Sequence, residues 1–142
     1  MPRDASSVFI VNLDTGEYML ADHYALRERG MPGGHREADG VSTQQWLDAI
    51  AKASGNAPRP MSRAASYEDT LVDLSSGRST TQEKAQTQHL GIEGGWTDLD
   101  CVDTPDFLDA LRSLHGLGPC DRAYLGFEAA ADDDETPSAP SP

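Results

Sequence analysis

The stretch VFIVNLDTGEYMLA, residues 8–21, gives the clearest structural signal in the chain. Two apolar runs flank Asp14–Gly16, and a glycine-containing turn between two such runs is typical of a β-hairpin. The first run is apolar at consecutive positions, which indicates a strand that is covered on both faces. The sequence therefore predicts an antiparallel hairpin whose first strand lies inside a sheet.

Two amphipathic helices are predicted further along the chain. The first follows Ser42, which forms a capping box with Gln45, and it carries apolar residues at helical spacing. The second begins at the N-cap Thr104, with Pro105 in its first turn, and it ends before a glycine. Its apolar stripe consists of Phe107, Leu108, Leu111 and Leu114.

The remaining segments alternate between strand, helix and loop patterns. A flexible loop is expected over residues 31–40, because that stretch is rich in glycine. Thr80 and Glu83 predict a further capping box, for a polar helix that runs to about Leu90. Short strands are predicted over residues 70–74, 96–102 and 122–128.

Together these elements predict an α+β fold with a small, mostly antiparallel sheet of four or five short strands and two or three helices on one face. One domain is expected over residues 6–129, after a flexible N-terminus at residues 1–5. Residues 130–142 contain Asp132–Glu135 and a Pro/Ser-rich end, which predicts a disordered acidic tail. No internal repeat is apparent. A chain of 142 residues is long enough for one core.

The chain is strongly acidic, with 24 Asp and Glu against 11 Lys and Arg and a net charge of -13. Direct nucleic-acid binding is not expected, because phosphate contacts need a basic patch. A salt-adapted proteome gives such an Asp-rich, Lys-poor composition, and so does a genome of high GC content. The charge alone therefore does not assign a function.

The expected location is the cytoplasm, or the interior of a virus particle assembled there. No segment has the pattern of a signal peptide or a membrane span. The two cysteines, Cys101 and Cys120, are too few for a disulfide framework, so reduced thiols are expected, with a bridge between them left open.

Five aspartates between residues 98 and 109 form the densest charge cluster. On a strand, Asp98 and Asp100 would project from the same face, and with Asp103 they are the candidate ligands of a divalent cation such as Mg²⁺ or Ca²⁺. The alternative is ordinary surface charge, with Asp106 stabilising a helix N-terminus and Asp109 facing solvent. No spacing of histidines and cysteines indicates a zinc site.

Two tryptophans are the candidate partner-binding residues. Trp46 lies on the first predicted amphipathic helix and Trp96 at the start of a predicted strand. Either ring would serve as a core residue, or as an exposed aromatic anchor for a partner. No nucleophile motif or phosphate-binding loop is present, so no catalytic residue is assigned.

These observations favour a non-enzymatic accessory or protein-interaction protein, including a component of a larger assembly such as a virus particle. We expect the irregular segment from Ala53 to Ser66 to be available to a partner. One alternative is a small metal-dependent enzyme or ligand-binding protein that uses the Asp98–Asp109 cluster. A second alternative is an acidic mimic of nucleic acid that blocks a DNA-binding protein.

Overall fold

A computed structural model of the chain describes residues 7–127. The predicted flexible N-terminus, residues 1–5, and the predicted disordered tail, residues 130–142, lie outside the described residues. Within residues 7–127 the fold is a mixed α+β arrangement, as the sequence predicts, but its strands form two separate three-stranded antiparallel sheets. The prediction of one sheet of four or five strands with two or three helices is therefore wrong, because the described residues form six strands and five α-helices.

The first set of elements runs from residue 7 to the end of the first amphipathic helix. They are β1 (Ser7–Asn12), β2 (Tyr18–Asp22), α1 (His23–Arg29), β3 (His35–Glu37), a 3-10 turn (Ala38–Gly40) and α2 (Thr43–Ala53). The predicted hairpin is confirmed as β1 and β2, with Val11 opposite Tyr18. The predicted capping box of Ser42 and Gln45 begins α2.

The second set has the same elements in the same order. They are β4 (Glu68–Asp73), β5 (Arg78–Glu83), α3 (Lys84–Leu90), β6 (Thr97–Asp98), a 3-10 turn (Leu99–Cys101) and α4 (Thr104–Leu114). A short additional helix, α5 (Arg122–Leu125), follows. The sheet orders, β2-β1-β3 and β5-β4-β6, are also equivalent.

The described part of the chain therefore consists of two copies of one structural unit. The sequence analysis did not predict this internal repeat. Residues 7–66, the first repeat, and residues 68–127, the second repeat, align without a gap at a displacement of 61 residues. Of the 60 aligned positions, 14 are identical. In first-repeat numbers these are Val11, Leu13, Gly16, Gly30, Gly33, Gly34, Asp39, Val41, Thr43, Leu47, Asp48, Ala49, Gly55 and Pro58.

One hydrophobic core joins the two repeats. The helices α2 and α4 pack together, and the equivalent residues Trp46 and Phe107 stack with ring centroids 5.9 Å apart and planes inclined by 6°. Equivalent residues that meet each other mark a local pseudo-twofold axis, as in a symmetric dimer. Val11 and Val72, on the central strands, belong to the same buried cluster.

The hairpin turn of each repeat docks on the long helix of the other. Gly16 lies against Arg112 of α4, and its counterpart Gly77 lies against Ala51 of α2. Both glycines are buried and have positive φ, 81° and 76°. A Cβ at position 77 would lie 2.5 Å from the backbone nitrogen of Ala51, so this approach requires glycine.

The segment that follows each long helix also crosses to the other repeat. Ser62 donates from its backbone N–H to Ser79 Oγ of β5, at 2.8 Å. In the second repeat, Asp121 donates its backbone N–H to the hydroxyl of Tyr18, the counterpart of Ser79, at 2.8 Å. Residues 53–66, expected to be available to a partner, are thus partly used to cover the edge of β5. Covering an edge strand in this way protects it from pairing with other chains.

Four predicted elements differ in the structure. The segment over residues 31–40, predicted as a flexible loop, contains β3 and the 3-10 turn Ala38–Gly40. Residues 80–83 are the end of β5 rather than the start of a helix, because they pair with β4. Residues 122–128 were predicted as a strand, yet Asp121 caps a short helix there by accepting the N–H of Tyr124. The predicted strand over residues 96–102 is reduced to Thr97–Asp98, because a 3-10 turn begins at Leu99.

Candidate functional site

The two repeats differ sharply in charge. The first repeat holds seven acidic and six basic side chains, a net charge of -1. The second repeat holds eleven acidic and four basic side chains, a net charge of -7. Because both repeats build the same elements, the fold itself does not demand this excess of acid.

The excess is concentrated at one end of the second sheet, which we call the acidic end. Glu68 lies directly opposite Glu83 in the β4–β5 pair, and Asp98 of β6 lies opposite Leu71 of β4. Like charges that face each other across two strands destabilise a sheet. The acidic end consists of Glu68, Asp69, Glu83, Asp98 and Asp100.

One cation, Lys84, lies among these carboxylates. Its Nζ is 2.9 Å from Asp69 Oδ1. The hydrogen bond to Asp69 raises the pKa of Lys84, and the charges of Asp100 and Asp98 raise that pKa further. Lys84 therefore stays charged at neutral pH but neutralises only one of the surrounding carboxylates.

The first repeat carries a related acidic set that is compensated in sequence. Asp22, Glu37 and Asp39 occupy the positions equivalent to Glu83, Asp98 and Asp100. Three arginines lie on α1 and β3 beside them in the chain, whereas the second repeat replaces all three with uncharged residues. The replacements are Arg27 by Gln88, Arg29 by Leu90 and Arg36 by Thr97.

Two of the three aspartates predicted as metal ligands, Asp98 and Asp103, have local structural partners. Asp98 Oδ1 accepts the backbone N–H of Asp100 at 3.0 Å and so begins the 3-10 turn. Asp103 is the N-cap of α4, in a capping box with Asp106, one residue before the predicted cap. Among residues 7–127, no group of three or more His, Cys, Asp or Glu side chains is placed to hold a metal ion. A divalent-cation site at Asp98, Asp100 and Asp103 stays a prediction.

The other two aspartates of the cluster fix α5 against α4. Arg122 contacts Asp106 Oδ1 at 2.8 Å and Asp109 Oδ2 at 2.7 Å. Burial alone would raise the pKa of Asp109, but hydrogen bonds from Cys120 and the contact with Arg122 lower it overall. Asp109 is therefore an ionised structural residue, and the expectation that it faces solvent is wrong.

The cysteines are free within the described residues, with Cys101 exposed and Cys120 buried. Burial, reinforced by the neighbouring Asp109 carboxylate, raises the pKa of the Cys120 thiol to about 12. A thiol with such a pKa stays protonated at neutral pH and is a weak nucleophile.

The two predicted partner-binding tryptophans lie in different surroundings. Trp46 is 2% exposed and stacks on Phe107, so its ring belongs to the core between the repeats. Trp96 is partly exposed just before β6. An anchoring role for Trp96 stays a prediction.

A groove that sequence reasoning missed lies where the two repeats meet. It has a volume of about 520 Å³, and we call it the junction groove. The first repeat contributes Tyr18 and the second repeat contributes Arg112, whose guanidinium carbon lies 4.8 Å from the centre of the Tyr18 ring. Its lining residues are Glu17, Tyr18, Met19, His35, Arg112 and Tyr124.

No helix within residues 7–127 has the length and apolar character needed to cross a membrane. Comparisons with protein-family models, with curated proteins and with solved structures found no match to this chain.

Proposed function

We propose that this chain is a non-enzymatic protein-interaction protein that binds a basic surface of another protein through the acidic end of its second repeat. One such partner would be a subunit of a larger assembly, for example a virus particle. The interaction is electrostatic in origin, because a surface of one charge sign steers and selects a partner of the opposite sign.

The charge difference between the repeats carries this proposal. Salt adaptation or a high genomic GC content acts on a whole chain and would make both repeats acidic to a similar degree. The net charges of -1 and -7 on two copies of one fold are therefore better explained by a function that only the second repeat performs.

The cost of the arrangement supports the same conclusion. The Glu68–Glu83 pair and the loss of three arginines both increase repulsion at one end of the sheet. Binding of a positively charged partner would relieve that repulsion, which persists in the isolated chain. Surfaces that lower stability without serving the fold are commonly those that bind.

Two matched variants test the proposal at equivalent positions. The second-repeat variant is Glu83→Gln/Asp98→Asn/Asp100→Asn. The first-repeat variant is Asp22→Asn/Glu37→Gln/Asp39→Asn. Both raise the net charge by the same amount, and the amides at positions 22 and 98 can still accept the N–H groups that those side chains cap.

The measurement is quantitative recovery of proteins from the native cell at native salt, with the wild-type chain and both variants as bait. We expect a basic protein to be recovered with the wild-type chain and the first-repeat variant and to be lost with the second-repeat variant. Equal recovery with all three baits, or equal loss with both variants, would overturn the proposal. Adding duplex DNA identifies a nucleic-acid-binding partner, because DNA then competes with the chain.

A further inference from the structure

The junction groove is a second site, on a different part of the molecule from the acidic end. We propose that it binds a carboxylate joined to an apolar group, with Arg112 as the residue that receives the carboxylate. The inference is independent of the proposed docking of a basic partner, because it depends on a cation and on aromatic side chains.

Arg112 is held in a fixed position. Its Nη1 donates to the backbone oxygen of Gly16 at 2.8 Å and its Nε donates to that of Gly118 at 2.7 Å. The guanidinium also lies over the Tyr18 ring. These contacts leave Nη2 without a hydrogen-bond partner within residues 7–127, and a preorganised guanidinium is a strong receptor for carboxylates.

The charge of Arg112 is not used by an internal ion pair. Within residues 7–127, the ion pairs of the second repeat involve Lys84 and Arg122, and none involves Arg112. A partly buried arginine that faces a groove and lacks a carboxylate partner points to a carboxylate supplied from outside.

The equivalent position of the first repeat does not hold an arginine. Ala51 occupies the equivalent place in the other junction, where it packs closely beneath Gly77. One junction is thus closed with a small residue, and the other is lined by the long cationic side chain of Arg112. The other junction therefore forms without an arginine.

The rest of the groove provides apolar and aromatic surface for the remainder of the ligand. Met19 is 40% exposed and Tyr124 is 46% exposed. The Tyr124 ring lies edge-on to that of Tyr18, with centroids 6.5 Å apart. The groove volume falls within the roughly 300–1,000 Å³ typical of small-ligand sites.

Glu17 lies on the same groove and opposes an anionic ligand. It is exposed and forms no ion pair with Arg112 within the described residues. Removing its charge should therefore strengthen carboxylate binding without disturbing the fold.

The test follows the backbone NMR signals of the wild-type chain during titration with phenylacetate. We expect saturable shifts at Met19 and Tyr124 with a Kd of about 1 mM, as is usual for a ligand of this size. The neutral analogue phenylacetamide should bind at least about tenfold more weakly. The absence of shifts at about 20 mM phenylacetate, or equal binding of phenylacetamide, would overturn the proposal.

Two variants separate an effect on ligand binding from an effect on folding. Glu17→Gln should tighten phenylacetate binding about twofold to fivefold, and Arg112→Gln should abolish it. Unchanged affinity in Glu17→Gln would count against the proposal even if Arg112→Gln fails to fold. Peptides that end in phenylalanine, with a free or an amidated C-terminus, then show whether the ligand is a peptide terminus or a small acid.

Discussion

The two repeats have the same elements, the same spacing and reciprocal contacts, yet they differ in charge and in how their junctions are closed. At one shared position, Gly16 and Gly77, the backbone of one repeat approaches the helix of the other. The repeats differ at Ala51 and Arg112, which occupy equivalent positions on the two long helices. Each repeat therefore acts as an internal control for the other.

The largest effect is expected where equivalent residues meet at the core. Trp46→Ala and Phe107→Ala should each lower the free energy of unfolding by about 3–5 kcal/mol, because each leaves a cavity beside a buried ring. The double variant should show a coupling of about 0.5–1.5 kcal/mol from the lost stacking. Urea unfolding of the four chains gives this cycle. Strictly additive losses would mean that the two rings do not stack.

The two interlocking turns should differ in their tolerance of a methyl group. Gly77→Ala should cost about 3 kcal/mol or more, because the new Cβ would meet rigid helix backbone. Gly16→Ala should cost about 1–2 kcal/mol, since the new Cβ would lie farther from its neighbours, 3.2 Å from Cγ and 3.4 Å from Cα of Arg112. Urea unfolding compares them, and an equal or reversed order would contradict the reciprocal docking.

The aspartate shared by the two repeats, Asp48 in the first and Asp109 in the second, should contribute more to stability in the second repeat. Asp109→Asn should cost about 1 kcal/mol at neutral pH, because Asp109 accepts the N–H of Cys120 and pairs with Arg122. Its counterpart Asp48 accepts from Gln44 at 2.8 Å, and Asp48→Asn should cost less than about 0.5 kcal/mol. Urea unfolding of both variants measures the difference.

The pH dependence of this difference follows from the lowered pKa of Asp109. A carboxyl whose pKa is lower in the folded state than in the unfolded state adds stability above its unfolded pKa. That contribution is lost as the pH falls through the folded pKa. The stability gap between wild type and Asp109→Asn should therefore shrink below about pH 4. A gap that is constant down to pH 2 would contradict this assignment.

The sequence predicted the elements whose local signals agree. The capping box at Ser42 and Gln45 and the turn at Asp14–Gly16 each have one local solution, and both are confirmed. Residues 80–83 of the polar strand β5 were predicted as the start of a helix, because the pairing of β5 with β4 is not a local property. Residues 122–128 alternate like a strand, although Asp121 and Gly126 carry the cap signals of a short helix.

The repeat leaves only a weak signal in the sequence. Its 14 identities are scattered, and they include five aligned glycine pairs, of which Gly33 and Gly34 with Gly94 and Gly95 are the most distinctive. The recurrence of these glycine pairs at one fixed displacement is the sequence signature of the repeat. The junction groove could not be predicted from local patterns, because Tyr18 and Arg112 come together only when the repeats pack.

The smallest expected effect on stability tests the central claim, that the acidity of the second repeat is surplus to the fold. The measurement is the free energy of urea unfolding of the second-repeat variant at low salt, with the first-repeat variant as control. We predict a value equal to that of the wild-type chain or up to about 1 kcal/mol higher, because repulsion at the acidic end is relieved. A value more than about 1 kcal/mol lower would contradict the account, since these carboxylates would then be needed for folding.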